Sequence, residues 1–158
     1  MNEVAQQYGG APPATAVDGP ISYSIFRLAR SHHLMARRLL QTVGLHPGQE
    51  MVMMRLWEAG PQRQVDLVNV LDGDAATMTR TIARLERAGF VRRSRSTSDR
   101  RTVIIESTPA GSALRDEVRM LWRQLEEQTV IGLTADEKSI LLQLVVKVDS
   151  HLTEQLSD

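Results

Sequence analysis

The chain has 158 residues, 42% of them hydrophobic and 4% aromatic, with no cysteine and equal numbers of acidic and basic side chains. That length bounds one domain with a real core, and the missing cysteine excludes disulfides, thiolate metal centres, cysteine nucleophiles and thiol redox sensing. No apolar run approaches the roughly eighteen residues that cross a bilayer, and no basic-then-apolar leader opens the chain, so a soluble protein with no membrane partner is expected.

Residues 1–19 are rich in Gly, Pro and Ala without apolar periodicity and read as a disordered arm. From Ile21 to about Val43, Ile21, Ile25, Leu28, His32, Met35 and Leu39 recur at spacings of three and four, the pattern of an amphipathic helix, which Gly44 ends. Pro47 opens a second helix to residue 59, Gly60-Pro61 stops it, and Gln62 to Gln64 read as a connector. Val65 to Leu71 form a short third helix. Asp74 is then placed as N-cap of a fourth helix over 75–88, ended by Gly89. Stretches 90–95 and 101–107 alternate as two strands around a polar loop. Thr108-Pro109 starts a long helix to Gly132, and the capping box from Thr134 to Glu137 launches the last. Four helices, a hairpin and two helices predict a mainly α fold with a small β-wing, a winged helix-turn-helix.

Net charge is zero, but it is unevenly spread. Between Arg80 and Arg101 lie eight arginines against Glu86 and Asp99, whereas from Thr102 onward five basic residues face ten acidic ones. A polyanion responds to local charge, so this cationic segment points to double-stranded DNA. At about 100° per residue the fourth helix places Met78, Ile82 and Leu85 on one side. Ala76, Arg80, Ala83, Arg84 and Arg87 fall on the other, flanked by Thr77 and Thr79. Small residues admit a helix to a major groove, where arginine pairs with guanine or clamps phosphate. A solvated amphipathic helix has the same pattern. The cap, the short helix before it and the arginine hairpin behind it favour DNA.

In that hairpin Arg93, Arg95, Ser98, Asp99, Arg100 and Arg101 are candidate wing contacts, because the negative potential of a minor groove attracts arginine. Asp99 has two readings: its carboxylate accepts the Arg101 guanidinium and fixes its rotamer, or it simply forms the turn. The first is the expectation.

The run LxxxLDxDAATMTRTIARLERAGFVRRSRSTSDRRTVIIESTPAG, residues 67–111, resembles the MarR (multiple antibiotic resistance regulator) family, through RLExxGFVxR, the DRR wing tip and TPAG. The resemblance implies a cytoplasmic bacterial or archaeal homodimer that binds a pseudo-palindromic operator, most often as a repressor, and is released by small, frequently aromatic acids. It implies a recognition helix at 75–88, with Arg101 as the minor-groove arginine held by Asp99. It also implies one domain over 20–158, with the winged lobe at about 47–107 and dimerisation helices at about 21–43 and 109–156. The apolar stripes of the last two helices, which nothing else in the monomer is large enough to cover, point to a partner independently.

The same resemblance puts a ligand pocket between the dimer helices and the winged lobe, with His32, His33, Met54, Arg55 and Trp57 as candidates. His32 has a plainer reading as a core or interface group, and Met54 and Trp57 as core. A pocket filled by Met51, Met53 and Met54 would favour a ligand-independent regulator, and lost arginines a protein-interaction module of the same fold. Four scattered histidines without cysteine make no metal site, and no cofactor is implied. Phosphate-binding, dinucleotide and metalloprotease motifs are absent, so catalysis is not expected.

Overall fold

The computed structural model describes residues 13–71, 74–96, 99 and 101–157. Helices α1 (Pro20–Gln41) and α2 (Gln49–Ala59) lead into the two-residue strand β1 (Gln62–Arg63) and helices α3 (Gln64–Val70) and α4 (Ala75–Arg87). Strands β2 (Val91–Arg95) and β3 (Val103–Ser107) follow, then helices α5 (Pro109–Thr129) and α6 (Ala135–Ser157). Residues up to Trp122 form one compact unit and those from Arg123 another.

Local chemistry sets the helix starts. Asp74 is extended (φ −76°, ψ 148°), and its Oδ1 accepts the Thr77 N–H at 2.8 Å, capping α4 as its position implies. Glu137 Oε2 accepts the Thr134 N–H at 2.8 Å while the Glu137 N–H reaches the Thr134 hydroxyl at 3.3 Å, a closed capping box for α6. Pro109 is the first residue of α5. The start of α2 differs from expectation. Gly48, at φ +89°, is its N-cap, and Pro47 lies outside the helix. Gln49 reaches back so that its Oε1 accepts the His46 N–H at 2.8 Å. Within the stretch read as a disordered arm, Ala14–Ala16 instead form one 3-10 turn.

The first unit has its core where α2, α3, α4 and β3 meet, with Met53, Leu67, Ile82, Leu85 and Ile105 fully buried. Leu114 and Val118 add one face of α5. Each such side chain stabilises the fold by roughly 1.5–3 kcal/mol. The sheet is antiparallel in the order β1-β3-β2, one strand more than the hairpin expected. Gln62 and Arg63, read as a connector, pair with Ile105 and Ile104. In the hairpin Arg92 stands opposite Glu106, and the two form an ion pair at 2.8 Å. In the second unit α6 leaves Ile140, Leu144, Val145 and Val148 exposed.

Candidate nucleic-acid interface

Helix α4 is oriented by the burial of Met78, Ile82 and Leu85, which turns its opposite face outward. Ala76, Thr77, Thr79, Arg80, Arg84 and Arg87 are exposed there and Ala83 is half-buried. The N-terminal end is prearranged. The Asp74 carboxyl is held below its ordinary value, first by the Thr77 hydroxyl, then by the Thr77 amide, with a smaller contribution from the Arg80 charge. Arg80 Nη2 in turn donates to the Thr77 hydroxyl at 3.0 Å, so cap, threonine and arginine form one chain. Arg87 folds back, its Nε donating to the Ala83 carbonyl at 3.3 Å.

Thr79, expected to flank the outward face and exposed there, is also tied to neighbouring elements. Its hydroxyl donates to the Ala75 carbonyl at 2.7 Å and accepts Gln64 Nε2 at 2.9 Å, which ties α4 to the start of α3. Arg63, the residue before α3, is held by a two-pronged contact with Asp66, both bonds at 2.7 Å. Neither Gln64 nor Arg63 stood out in the sequence, because their partners are set by the α3–α4 turn and by a single helical step.

The wing corrects the expectation for Asp99 and gives Arg93 partners within the protein. Arg93, though exposed, turns toward α4: its Nη1 lies 3.3 Å from Glu86 Oε2 and its Nη2 donates to the Thr79 carbonyl at 3.4 Å, bracing β2 against α4. Asp99 does not hold the Arg101 guanidinium. Its Oδ1 accepts the Arg101 backbone N–H at 2.9 Å and its Oδ2 accepts the Thr102 hydroxyl at 2.8 Å. A carboxylate two residues upstream reaches the turn's own amide before it can reach a long side chain, so the turn-forming reading is the one observed. These two bonds, the Arg101 amide first, keep the Asp99 carboxyl below the usual range. Arg95 and Arg101 are exposed on either side of the tip. Ser98 and Arg100 lie outside the described residues.

On the far side of α2 an open cavity of about 380 Å³ lies against α5. Of the candidate pocket residues, Met54 and Trp57 line it; His32, His33 and Arg55 do not. Its remaining wall is Glu58, Arg115, Val118, Arg119 and Trp122. Sequence reading missed Arg115, Arg119 and Trp122, which recur at spacings of four and three along α5, because that helix was read for its apolar stripe alone. Trp57 and Trp122 are the two tryptophans of the whole chain. Met53 is core and Met51 is not in the wall, so three methionines do not fill the space.

Known proteins share this fold. The model of the MarR family matches residues 45–103, which run from the start of α2 to the return strand of the wing. The HTH-type transcriptional repressor NicR of Pseudomonas putida is 33% identical over 100 residues, 63% of this chain and 63% of NicR. The chain therefore aligns with somewhat under two thirds of that relative's length. Among solved structures, a mutant MarR from E. coli complexed with operator DNA superposes with a TM-score of 0.77 at 25% identity, covering 87% of this chain and 99% of that one. BpsR of Bordetella bronchiseptica, described for regulation of its DNA binding by 6-hydroxynicotinic acid, gives a TM-score of 0.73 at 26% identity, covering 82% of this chain and 98% of that one. The winged lobe thus matches the MarR family model over residues 45–103, and along nearly the full length of those solved chains the protein is similar in fold to MarR-type transcriptional regulators.

Proposed function

We propose that the protein is a cytoplasmic homodimer that binds a pseudo-palindromic operator and represses transcription, with α4 in the major groove and the wing in the flanking minor groove. The observation that carries this reading is the outward face of α4. Alanines allow close approach, Arg80 is braced by Thr77 and Asp74, and Arg84 and Arg87 extend the cationic edge. Arg101 is the principal wing contact, on a turn that Asp99 holds shut. Arg93, engaged with Glu86, positions β2 and contributes less to the groove.

Release by a small anionic aromatic ligand fits the cavity between α2 and α5. Two tryptophans offer stacking surfaces, and Arg115 and Arg119 supply two positive charges against the single carboxylate of Glu58. The domain division that goes with this reading is one functional domain over 20–158, with residues 1–19 outside it.

Selection of DNA fragments from random sequence by the purified protein tests the reading. An inverted repeat with half-sites about one helical turn apart is expected. Recovery of unpatterned DNA would indicate a non-specific clamp, and recovery of none a protein-interaction module.

A further inference from the structure

An unbroken run of hydrogen bonds joins the cavity wall to the end of α4. The Trp57 indole N–H donates to the Gly111 carbonyl at 3.1 Å. The Gly111 N–H donates to the Thr108 hydroxyl oxygen at 3.0 Å, and that hydroxyl donates to the Gly89 carbonyl at 2.6 Å. The Thr108 N–H donates to the neighbouring Phe90 carbonyl at 3.0 Å. Gly89 and Phe90 are the residues that end α4: their amides close back on Glu86 and Leu85, both at 3.0 Å. Phe90 also leads directly into β2. One threonine therefore caps α5 and grips both the last turn of α4 and the root of the wing.

The joint is tight as well as connected. A Cβ on Gly111 would fall on the Phe90 carbonyl oxygen, so the first turn of α5 rests backbone to backbone on the α4–β2 corner. Close-packed contacts of this kind shift as units and do not flex continuously. The cavity borrows the same helix, since Arg115, Val118, Arg119 and Trp122 lie along α5 beyond Thr108. A ligand seated there touches the donor of the first bond and the body of the helix whose cap makes the others.

We propose that Thr108 is the positioning residue that couples occupation of this cavity to DNA release, through Trp57 and Gly111 on one side and Gly89 and Phe90 on the other. The proposal rests on the ligand-responsive reading above. Thr108 touches neither the cavity nor the outward face of α4. Displacing the indole moves the Gly111 carbonyl and the α5 cap, and the cap carries the end of α4 and the wing root together. Both DNA-contacting elements thus answer to one hydroxyl.

The test is a binding cycle on the full-length protein with a selected operator fragment and, as probes, benzoate, salicylate and 6-hydroxynicotinate. In the unaltered protein a bound probe should weaken operator affinity about tenfold or more. Thr108→Val keeps the side chain's size and removes the hydroxyl. It should retain probe affinity and probe-free operator affinity within about threefold while the probe's effect on DNA shrinks below about twofold, and Thr108→Ser should restore that effect. Trp57→Phe, compared at saturating probe so that a weaker site does not matter, should also release DNA less. If Thr108→Val releases DNA as the unaltered protein does, or loses probe-free operator affinity in step with its stability, the coupling role is wrong and Thr108 is only a cap. If no probe binds the unaltered protein, or a bound probe leaves operator affinity unchanged, the ligand reading falls and the coupling proposal with it.

Discussion

Glu50 sits in the first turn of α2 at 6% exposure, and its Oε2 has no hydrogen-bond partner among the described residues. Burial raises its carboxyl above the ordinary 4.5; the amides of Glu50 and Gly48 and the charge of His33 offset part of that rise. A carboxyl that binds its proton more tightly folded than unfolded withdraws stability as pH climbs from the ordinary value through the raised one. Glu50→Gln should therefore raise the melting temperature at neutral pH, with an advantage that fades toward pH ~4. An equal advantage at both pH values would show that the gain is not electrostatic. Nothing in the sequence marked Glu50, because its burial is created by packing. Arg101 and Arg80 stood out in the sequence as the proposed DNA contacts, but their supports were only partly legible. Asp74 capping α4 follows from its neighbours, whereas Arg93 looked identical to Arg95 until the fold brought Glu86 beside it. Arg101→Ala should lower the slope of operator affinity against salt by about one unit, measured on the selected operator, and an unchanged slope would remove the wing from the groove. Arg80→Ala should instead relax discrimination at one base pair by about 1–3 kcal/mol, and a uniform loss across sequences would make Arg80 a phosphate contact.

At the scale of elements, the helical order was readable because each start and stop is local chemistry: Asp74, Thr108-Pro109 and the Thr134–Glu137 box all act within four residues. The strand β1 was not readable. Two residues give no alternation, and their strand character comes wholly from Ile104 and Ile105 across the sheet. Gly111 is a second nonlocal case. It passes in sequence as an ordinary first-turn residue, yet the atom that forbids a side chain there belongs to Phe90. Gly111→Ala should destabilise the protein by about 1–3 kcal/mol in denaturant unfolding, since the blocking atoms are backbone and have little room to move. A neutral or stabilising result, as expected from alanine's better helix propensity alone, would show that the α4–β2 corner yields easily.

For the whole molecule, the site was legible as a face and a hairpin, while the cavity was legible only at Met54 and Trp57. Its α5 wall depends on which side of a long helix turns toward α2, and two stripes compete on that helix. The apolar residues left outside follow a clearer rule. On α1, Ile21 and Phe26 are 72% and 79% exposed, and on α6, Leu144 and Val148 are 56% and 41% exposed one turn apart. Single exposed apolar residues need no explanation, but rows of them along helices call for a partner. A second copy is the partner that would also produce the proposed operator with two half-sites, because a two-fold axis repeats one recognition helix about one duplex turn away. Leu144→Glu combined with Val148→Glu puts two carboxylates into that proposed interface at positions exposed on α6. Sedimentation should then find a monomer that keeps the helical content of its winged lobe. Its operator affinity should collapse, and the salt slope should fall by about half as one set of phosphate contacts is lost. A variant that stays dimeric and binds the operator normally would place the interface elsewhere, with α1 the next surface to alter.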